Sequence, residues 1–432
     1  MICAQNDEIL KQVQNDDNIK RGIFIVKLKM KKKFIIIGGG AAGYFAAINA
    51  AEMHPDLEVI ILEGSNKVLQ KVKVSGGGRC NVSHACFTPN ELVEFYPRGK
   101  KELLGPFHQF MTGDTMEWFE NRGIPLKIED DNRIFPESNS SQTIIDCFLE
   151  SAKNAGVQLK TSTRVDAIEK NEDKFIIKTN SETFEADFLL VAAGSNAKVW
   201  SMMEGLGHTV IKPVPSLFTF NIVDERLKDI PGISVPNASV NVVNSKLAEQ
   251  GPLLITHWGL SGPGVLKLSA WGALELHQKD YQFEIEVNWL SKSFEKVLEE
   301  LKSAKNEQSK KQMILRSVFE EISKRLWEKL VVAAKIPYDF QWAQLNNKQL
   351  EALALQLTKS RFNVSGKSTF KDEFVTAGGV DLKEINFKRF ESKLHKNLFF
   401  AGEVLNIDAV TGGFNFQNAW TGGWIVAVSV NR

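Results

Sequence analysis

Cysteine is scarce in this sequence: four in 432 residues, Cys3, Cys80, Cys86 and Cys147, with no two at CxxC spacing. That excludes a disulfide-built scaffold and a dithiol exchange centre, and reads as reduced thiols in a cytoplasmic protein. Histidine is also sparse. His84, His108, His208 and His395 have no carboxylate or cysteine at ligand spacing, so no metal is expected. An excess of either charge is missing too: 53 Lys and Arg against 52 Asp and Glu leave +1. No basic stretch is interleaved with aromatics, so neither nucleic acid nor a membrane surface is expected as a partner. Long apolar runs are interrupted. "FIIIGGGAAGYFAAINAA", 34–51, follows three lysines as a secretion signal or short span would, but Gly38, Gly39, Gly40 and Gly43 fall where either wants leucine.

Those glycines suit a nucleotide-binding turn instead. Residues 34–37 are β-rich, 41–53 are good helix formers, and Gly38-x-Gly40-x-x-Gly43 lies between them. The first glycine makes the tight turn, the second lets the backbone approach a pyrophosphate, and the third brings helix and strand close. The pyrophosphate then caps the helix N-terminus, where unpaired N–H groups favour negative charge. A second strand, 57–62, ends at Glu63, about twenty positions after Gly43, where an acid meets an adenosine ribose. Glu63 would repel a 2′-phosphate, so the bound nucleotide is not expected to be NADP.

Further along, "KVLQKVKVSGGGRCNVSH" (67–84) offers backbone N–H groups and Arg79 to an anion or an electron-rich ring. Short strands are expected over 157–160, 164–169, 174–178 and 183–184, then a buried strand over 188–191 and a tight turn at Ala193-Gly194. From about 213 the chain turns β-rich, including "GPLLITHWGLSGPG" (251–264), and from 294 to about 357 it is helical and charged. There Ile314, Val318, Ile322, Leu326 and Leu330 read as one helix stripe. β-type signals return in "EFVTAGGV" and "NLFFAGEVLNID", and the chain closes as a helix. The expected division is an extension or mis-assigned start over 1–29, with Met30 a natural initiator. A discontinuous nucleotide domain (30–212 and 371–432) follows, interrupted by a β-rich insertion (213–290) and a helical one (291–370). A late apolar strand ending in Gly402-Glu403 points to an α/β fold of the glutathione-reductase-like FAD-binding Rossmann type. In such folds a late acid reaches the ribityl chain.

The segments GGGAAG (38–43), KVSGGGRCNVSH (73–84), IFPES (134–138), LLITHWGLSGPGVL (253–266), VTAGGVDLKEI (375–385) and LFFAGEVLNIDAVTGGFNFQNAWTGG (398–423) together resemble the YhiN/BaiN-like flavoproteins. That family includes an aminoacetone oxidase and a bile-acid-intermediate reductase. The likeness runs from 34 to 430 in one order, and Asn132 and Ser195 stand where the family more often has glycine. It implies FAD, held in a domain with a β-barrel-like and a helical insertion. The adenosine end falls to Gly38, Gly40, Ala41, Ala42, Gly43, Glu63 and Gly64, with a backbone adenine contact at Val165. The pyrophosphate and flavin end falls to Lys71, Ser75, Gly76, Gly77, Arg79, Cys80, Asn81, Ala193, Gly194, Gly402, Glu403, Asp408, Gly413, Asn415 and Phe416.

The function expected is an FAD-dependent oxidoreductase acting on a small organic substrate of amine, ketone or enone type. The alternative is a structural or sensory FAD that works through a protein partner, and modification of RNA is the weakest reading because the charge is even. No second strand–GxGxxG–helix unit is visible, so a separate NADH domain is not expected; the electron donor is either the substrate itself, as in an oxidase, or NAD(P)H as a transient donor. His257, beside Trp258 in the "THWGLSGPG" loop, is the candidate proton donor or acceptor, with a structural histidine as the competing reading. Cys80 reads as structural rather than redox active.

Overall fold

Phe34, Ile35 and Ile36 are fully buried in a row, the pattern of a strand covered on both faces. The computed structural model describes residues 31–368 and 375–432, so the expected extension over 1–29 lies outside the described residues, as does the expected boundary at 370/371. The strand Lys32–Ile37 sits in a seven-stranded sheet. Its order is Ile385–Asn386, Glu391–Ser392, Leu398–Phe400, Phe188–Val191, Lys32–Ile37, Leu57–Leu62, Gln158–Lys160. The last five are parallel, with Ile36 between Leu190 and Ile61, and the first two turn back antiparallel. The late strand Leu398–Phe400 thus slots beside Phe188–Val191, completing the Rossmann-type α/β fold expected from the sequence.

Two helices pack on this sheet and on each other, Ala41–Met53 and Phe414–Ser429. At their crossing a Cβ on Gly423 would stand 3.0 Å from the Ala42 carbonyl oxygen, so the backbones meet almost directly. Around them Phe45, Trp118, Phe148 and Trp420 form an aromatic cluster, with Phe45 and Trp118 rings 4.7 Å apart. Burial of four such rings, each worth roughly 1.5–3 kcal/mol, anchors this layer. A three-stranded meander, Val165–Asn171, Lys174–Thr179 and Thr183–Ala186, follows where short strands were expected.

The chain leaves along Val210–Ser216 and returns antiparallel to it along Val375–Val380. Between them is a closed six-stranded barrel, in the order Thr219–Ile222, Gly259–Ser261, Ala248–Ile255, Ser234–Val242, Gln282–Asn288, Ser360–Ser368. Its last strand corrects the reading that made 291–370 purely helical. Ser360–Ser368 alternates buried and exposed at its start, a two-residue period, and closes the barrel between Gln282–Asn288 and Thr219–Ile222. The expected helix stripe is a second correction. Ile314, Ile322, Leu326 and Leu330 are buried, but the regular helix runs only over Lys324–Ala333. Ser323 caps it by accepting from the Leu326 N–H, and Ser317 accepts from the Phe319 N–H at 3.0 Å. Both serines offer the backbone an alternative to helix.

Candidate functional site

The parallel strands end at one edge, and a cavity of about 1220 Å³ opens there. Ile37, Leu62, Ala192 and Ala401, each at or just after a strand's carboxyl end, all contribute to its wall. This is the crevice where open α/β sheets bind ligands. The three glycines of the first turn meet it differently. A Cβ on Gly43 would stand 2.0 Å from the Gly38 carbonyl oxygen, so Gly43 serves helix–strand packing and does not line the cavity. A Cβ on Gly40 would meet nothing within 4 Å: the space before the helix N-terminus is open. Gly38, Gly40, Ala41 and Ala42 all line it.

Glu63 stands at the end of its strand, and its carboxylate is fixed by two backbone donors, the N–H of Gly39 and of Ser65, each at 2.8 Å. Gly64 and Val165 lie with it on the same wall. Ala193 and Gly194, following the strand Phe188–Val191, face Gly402 and Glu403 across the crevice. A Cβ on Gly194 would stand 3.7 Å from Glu403 Oε2. Glu403 in turn pairs with Lys71. The Ser75–Gly77 segment interrupts the helical run Gln70–Gly78 with Gly76 and Gly77 at φ +57° and +68°, and this kink lines the cavity together with Asn81. Asn415 and Phe416 reach it from the first turn of the closing helix, and Gly413 precedes them at φ +99°. Asn415 pins the preceding loop by bonding both the N–H and the carbonyl of Ala409, at 3.0 and 3.1 Å. Phe416 stacks on Trp420.

Four further expected residues do not line the cavity. Arg79 does not line the cavity: its guanidinium pairs with Glu129 at 2.6 Å and lies 3.9 Å over the Phe135 ring. Cys80 is fully buried behind the kink, at φ +63°, and burial pushes its thiol up to about 12, opposed by a hydrogen bond with Ser75. Such a thiol stays protonated and unreactive at neutral pH. Asp408 is buried away from the cavity, paired with Arg98 and accepting from Ser216 Oγ at 2.7 Å. It shapes the loop that leads to Gly413 rather than facing a ligand. His257 is the larger correction. It sits exposed in the turn between Ala248–Ile255 and Gly259–Ser261, which the Thr256 N–H closes by donating to the Gly259 carbonyl at 2.8 Å. Neither His257 nor Trp258, 58% exposed, lines the cavity. The same segment still reaches it further on, through Ser261 and Leu266.

The lining on and beside the barrel was largely missed from sequence: Leu217, Thr219, Ser261, Leu266, Ser368 and Val375 all contribute to the cavity. Arg133 and Asn196 were missed as well. Asn196 had a readable signal, since it follows the Ala193-Gly194 turn and caps the next helix by accepting from the Lys198 N–H at 3.0 Å.

Two observations test the fit of a dinucleotide flavin. The open space before Gly40 matches a pyrophosphate on a helix N-terminus. Asn81 Oδ1 is buried on the cavity wall with no hydrogen-bond partner among the described residues, an acceptor that a ring N–H of a ligand would satisfy.

Comparison with known proteins follows this geometry. The model of the HI0933-like protein Rossmann domain family matches residues 32–429. Ribosomal RNA dihydrouridine synthase of Escherichia coli (strain K12) is 29% identical over 406 residues, covering 91% of this chain and 96% of that protein. The 3-dehydro-bile acid delta(4,6)-reductase of Clostridium scindens is 26% identical over 407 residues, 90% of this chain and 97% of that one. Among solved structures, 3-ketosteroid-delta4-(5alpha)-dehydrogenase from Rhodococcus jostii RHA1 aligns with a TM-score of 0.48 at 13% identity, over 94% of this chain and 99% of that one. The resemblance read from the motifs is borne out by the family match. No helix among the described residues is long and apolar enough to cross a membrane.

Proposed function

The chain belongs to the HI0933-like Rossmann-domain family, and from that premise we propose an FAD-dependent oxidoreductase that reduces a carbon–carbon double bond conjugated to a carbonyl. The carrying observation is the continuous cavity, which runs from the adenosine-side acid Glu63 past the open Gly40 turn to the barrel wall. Glu63 would accept from the ribose hydroxyls, the helix N-terminus behind Gly40 would meet the pyrophosphate, and Asn81 with the Gly413–Phe416 turn would hold the flavin. FAD, once reduced by a transient NAD(P)H-class donor, would supply the hydride. The chain's own part is to bind, orient and exclude water. Residues beside the barrel would do the last, since Leu217, Leu266 and Val375 add apolar side chains to the cavity lining.

The chemistry named for the two curated relatives supports the substrate class. A 3-dehydro delta(4,6) bile acid and the uracil ring of uridine share a C=C conjugated to a carbonyl, and reduction removes that double bond in both. The expectation of no nucleic-acid partner rested on even net charge and the lack of a basic, aromatic-interleaved stretch, and a uridine within RNA is the second reading, favoured by two relatives named as ribosomal RNA enzymes.

Acid precipitation of the purified protein should leave FAD, and no FMN, in a yellow supernatant. Anaerobic reduction with NADH, then addition of a 3-keto-4-ene steroid or a uridine-containing rRNA fragment, should reoxidise the flavin with one of the two. FMN, a colourless protein, or reoxidation by oxygen alone would overturn the reading.

A further inference from the structure

Away from the cavity, a buried histidine is held by a closed set of hydrogen bonds. His208 follows the helix Ala197–Gly205 and leads into Val210–Ser216, the strand along which the chain leaves for the barrel. Its ring is fully enclosed. Nε2 lies 3.0 Å from Ser392 Oγ, and Nδ1 lies 2.7 Å from Glu384 Oε2. Ser392 Oγ already accepts from two backbone donors, the N–H of Leu394 at 3.0 Å and of His395 at 2.9 Å. A hydroxyl has two lone pairs, so Ser392 can meet the ring only by donating its own proton to Nε2. Nε2 is therefore bare, and Nδ1 carries the hydrogen that Glu384 accepts. Glu384 also accepts from the Thr209 N–H, at 3.1 Å. Serine, histidine and glutamate in this order have the connectivity of a hydrolytic triad. Ser392 is buried and does not line the cavity, however, so its hydroxyl is not offered to a substrate.

This set tolerates only a neutral ring. A second proton, on Nε2, would aim a donor at an oxygen whose lone pairs are both in use. Ser392 would then have to release a backbone N–H or move. Among the described residues the other titratable neighbour is His395, whose ring centre is 5.9 Å away and whose Nε2 bonds the Leu206 carbonyl. Burial opposes the added proton, Glu384 favours it, and His395 opposes it again. The displacement has a short route to the cavity. Ser392 belongs to the strand Glu391–Ser392, which pairs with Leu398–Phe400 through Glu391 and Phe399. The His208 ring packs edge-on against Phe400, with 5.2 Å between centres. Ala401, Gly402 and Glu403 come next, and all three line the cavity. We propose that a proton on His208 loosens the cavity at Glu403, so that the protein holds FAD less tightly in acid. By reciprocity, bound FAD would keep this imidazole neutral to lower pH. The inference rests on the reading that FAD fills the cavity, and adds a control on its retention.

The test uses the full-length, FAD-loaded protein, diluted at about pH 7.5 and about pH 5.5, with released flavin read by its fluorescence. Circular dichroism at each pH separates flavin loss from unfolding. The wild-type Kd for FAD should rise by about 3- to 10-fold on acidification, the worth of one hydrogen bond. His208→Gln, which takes up no proton, should change by less than about twofold. Ser392→Ala keeps the histidine but removes the oxygen that its proton would meet, and should be equally flat. Ser392→Thr keeps the hydroxyl and should keep the dependence. A flat wild type, or flavin released only as the chain unfolds, would overturn the proposal. So would an undiminished acid loss in Ser392→Ala, even if His208→Gln binds no flavin at either pH. If the wild type binds no FAD at about pH 7.5, the cofactor reading itself fails, and this inference with it.

Discussion

Replacing Gly40 by valine separates binding from folding at the first turn. Gly40 has φ −93° and ψ −169°, an extended conformation that valine adopts readily, and its Cβ position is clear of protein atoms to 4 Å. The folding cost is then limited to a poorer helix N-cap, about 0.5–1 kcal/mol. The added methyls instead fill the space before the helix, where two or more backbone N–H groups would meet the pyrophosphate. Losing two charge-assisted hydrogen bonds, at about 1.5–3 kcal/mol each, weakens FAD by about 10²–10⁴-fold. Flavin-stripped wild type and Gly40→Val should therefore melt within a few degrees of each other. With FAD at a hundred times the wild-type Kd, only the wild type should gain the roughly 2.7 kcal/mol that ligand linkage supplies. Gly43→Val is the contrast. Its Cβ would overlap the Gly38 carbonyl oxygen at 2.0 Å, so this variant should fail to fold even without ligand. Unchanged FAD affinity in Gly40→Val, by fluorescence-quenching titration, would refute the turn as the pyrophosphate site.

Glu63→Ala removes an acceptor that also holds the Gly39 and Ser65 N–H groups, so FAD should weaken by about 10- to 150-fold, a loss of about 1.5–3 kcal/mol in the same titration. A change under threefold would count against a ribose contact. His257→Ala should leave steady-state turnover within about twofold and the melting temperature unchanged, because the side chain is exposed in a turn outside the cavity. A hundredfold loss would return it to catalysis. His208 gives a pH prediction. Burial holds its imidazole below the usual value, outweighing the bond from its Nδ1 to Glu384 at 2.7 Å, while Nε2 meets Ser392 Oγ at 3.0 Å. The unfolded chain takes up this proton first, so the stability it contributes is present above about pH 6.5 and falls as pH drops through the lower folded value. Urea midpoints at pH 7.5 and 5.5 should decline on acidification, and less so in His208→Gln. A rise instead would mean the Glu384 pair dominates.

Local signals carried the nucleotide fold. Gly38, Gly40, Gly43 and Glu63 lie within one strand–turn–helix–strand unit, and each role follows from near neighbours in the chain. The late acid Glu403 was legible because it ends an apolar run followed by glycines, and it meets Gly194 and Lys71 across the crevice. What stayed hidden depended on distant partners. Ser360–Ser368 belongs to the barrel only because Thr219–Ile222 and Gln282–Asn288 lie beside it, a pairing no short window contains. Arg79 looked like an anion ligand until Glu129 and Phe135 claimed it, and Asp408 is claimed by Arg98 from some three hundred positions away. In "THWGLSGPG" the composition pointed at the site but not at the residue. Which way the segment faces is set by the Leu254–Ser261 and Ile255–Leu260 register, and that puts serine at the cavity and histidine in water.

The slot between Phe188–Val191 and Leu398–Phe400 has a consequence during synthesis. Leu189 pairs with Leu398, so some two hundred residues must be translated before the second of these strands exists. At roughly 5–20 residues per second that is about 10–40 s. Throughout that interval the nascent chain carries Phe188–Val191, four consecutive apolar residues, as an open sheet edge able to pair with a neighbouring chain. The barrel and its helices emerge in the meantime, and their own strands are complete by Ser368. Ribosome-bound chains halted just short of Leu398 are therefore the state most exposed to aggregation, and the one on which a chaperone would have the most surface to hold.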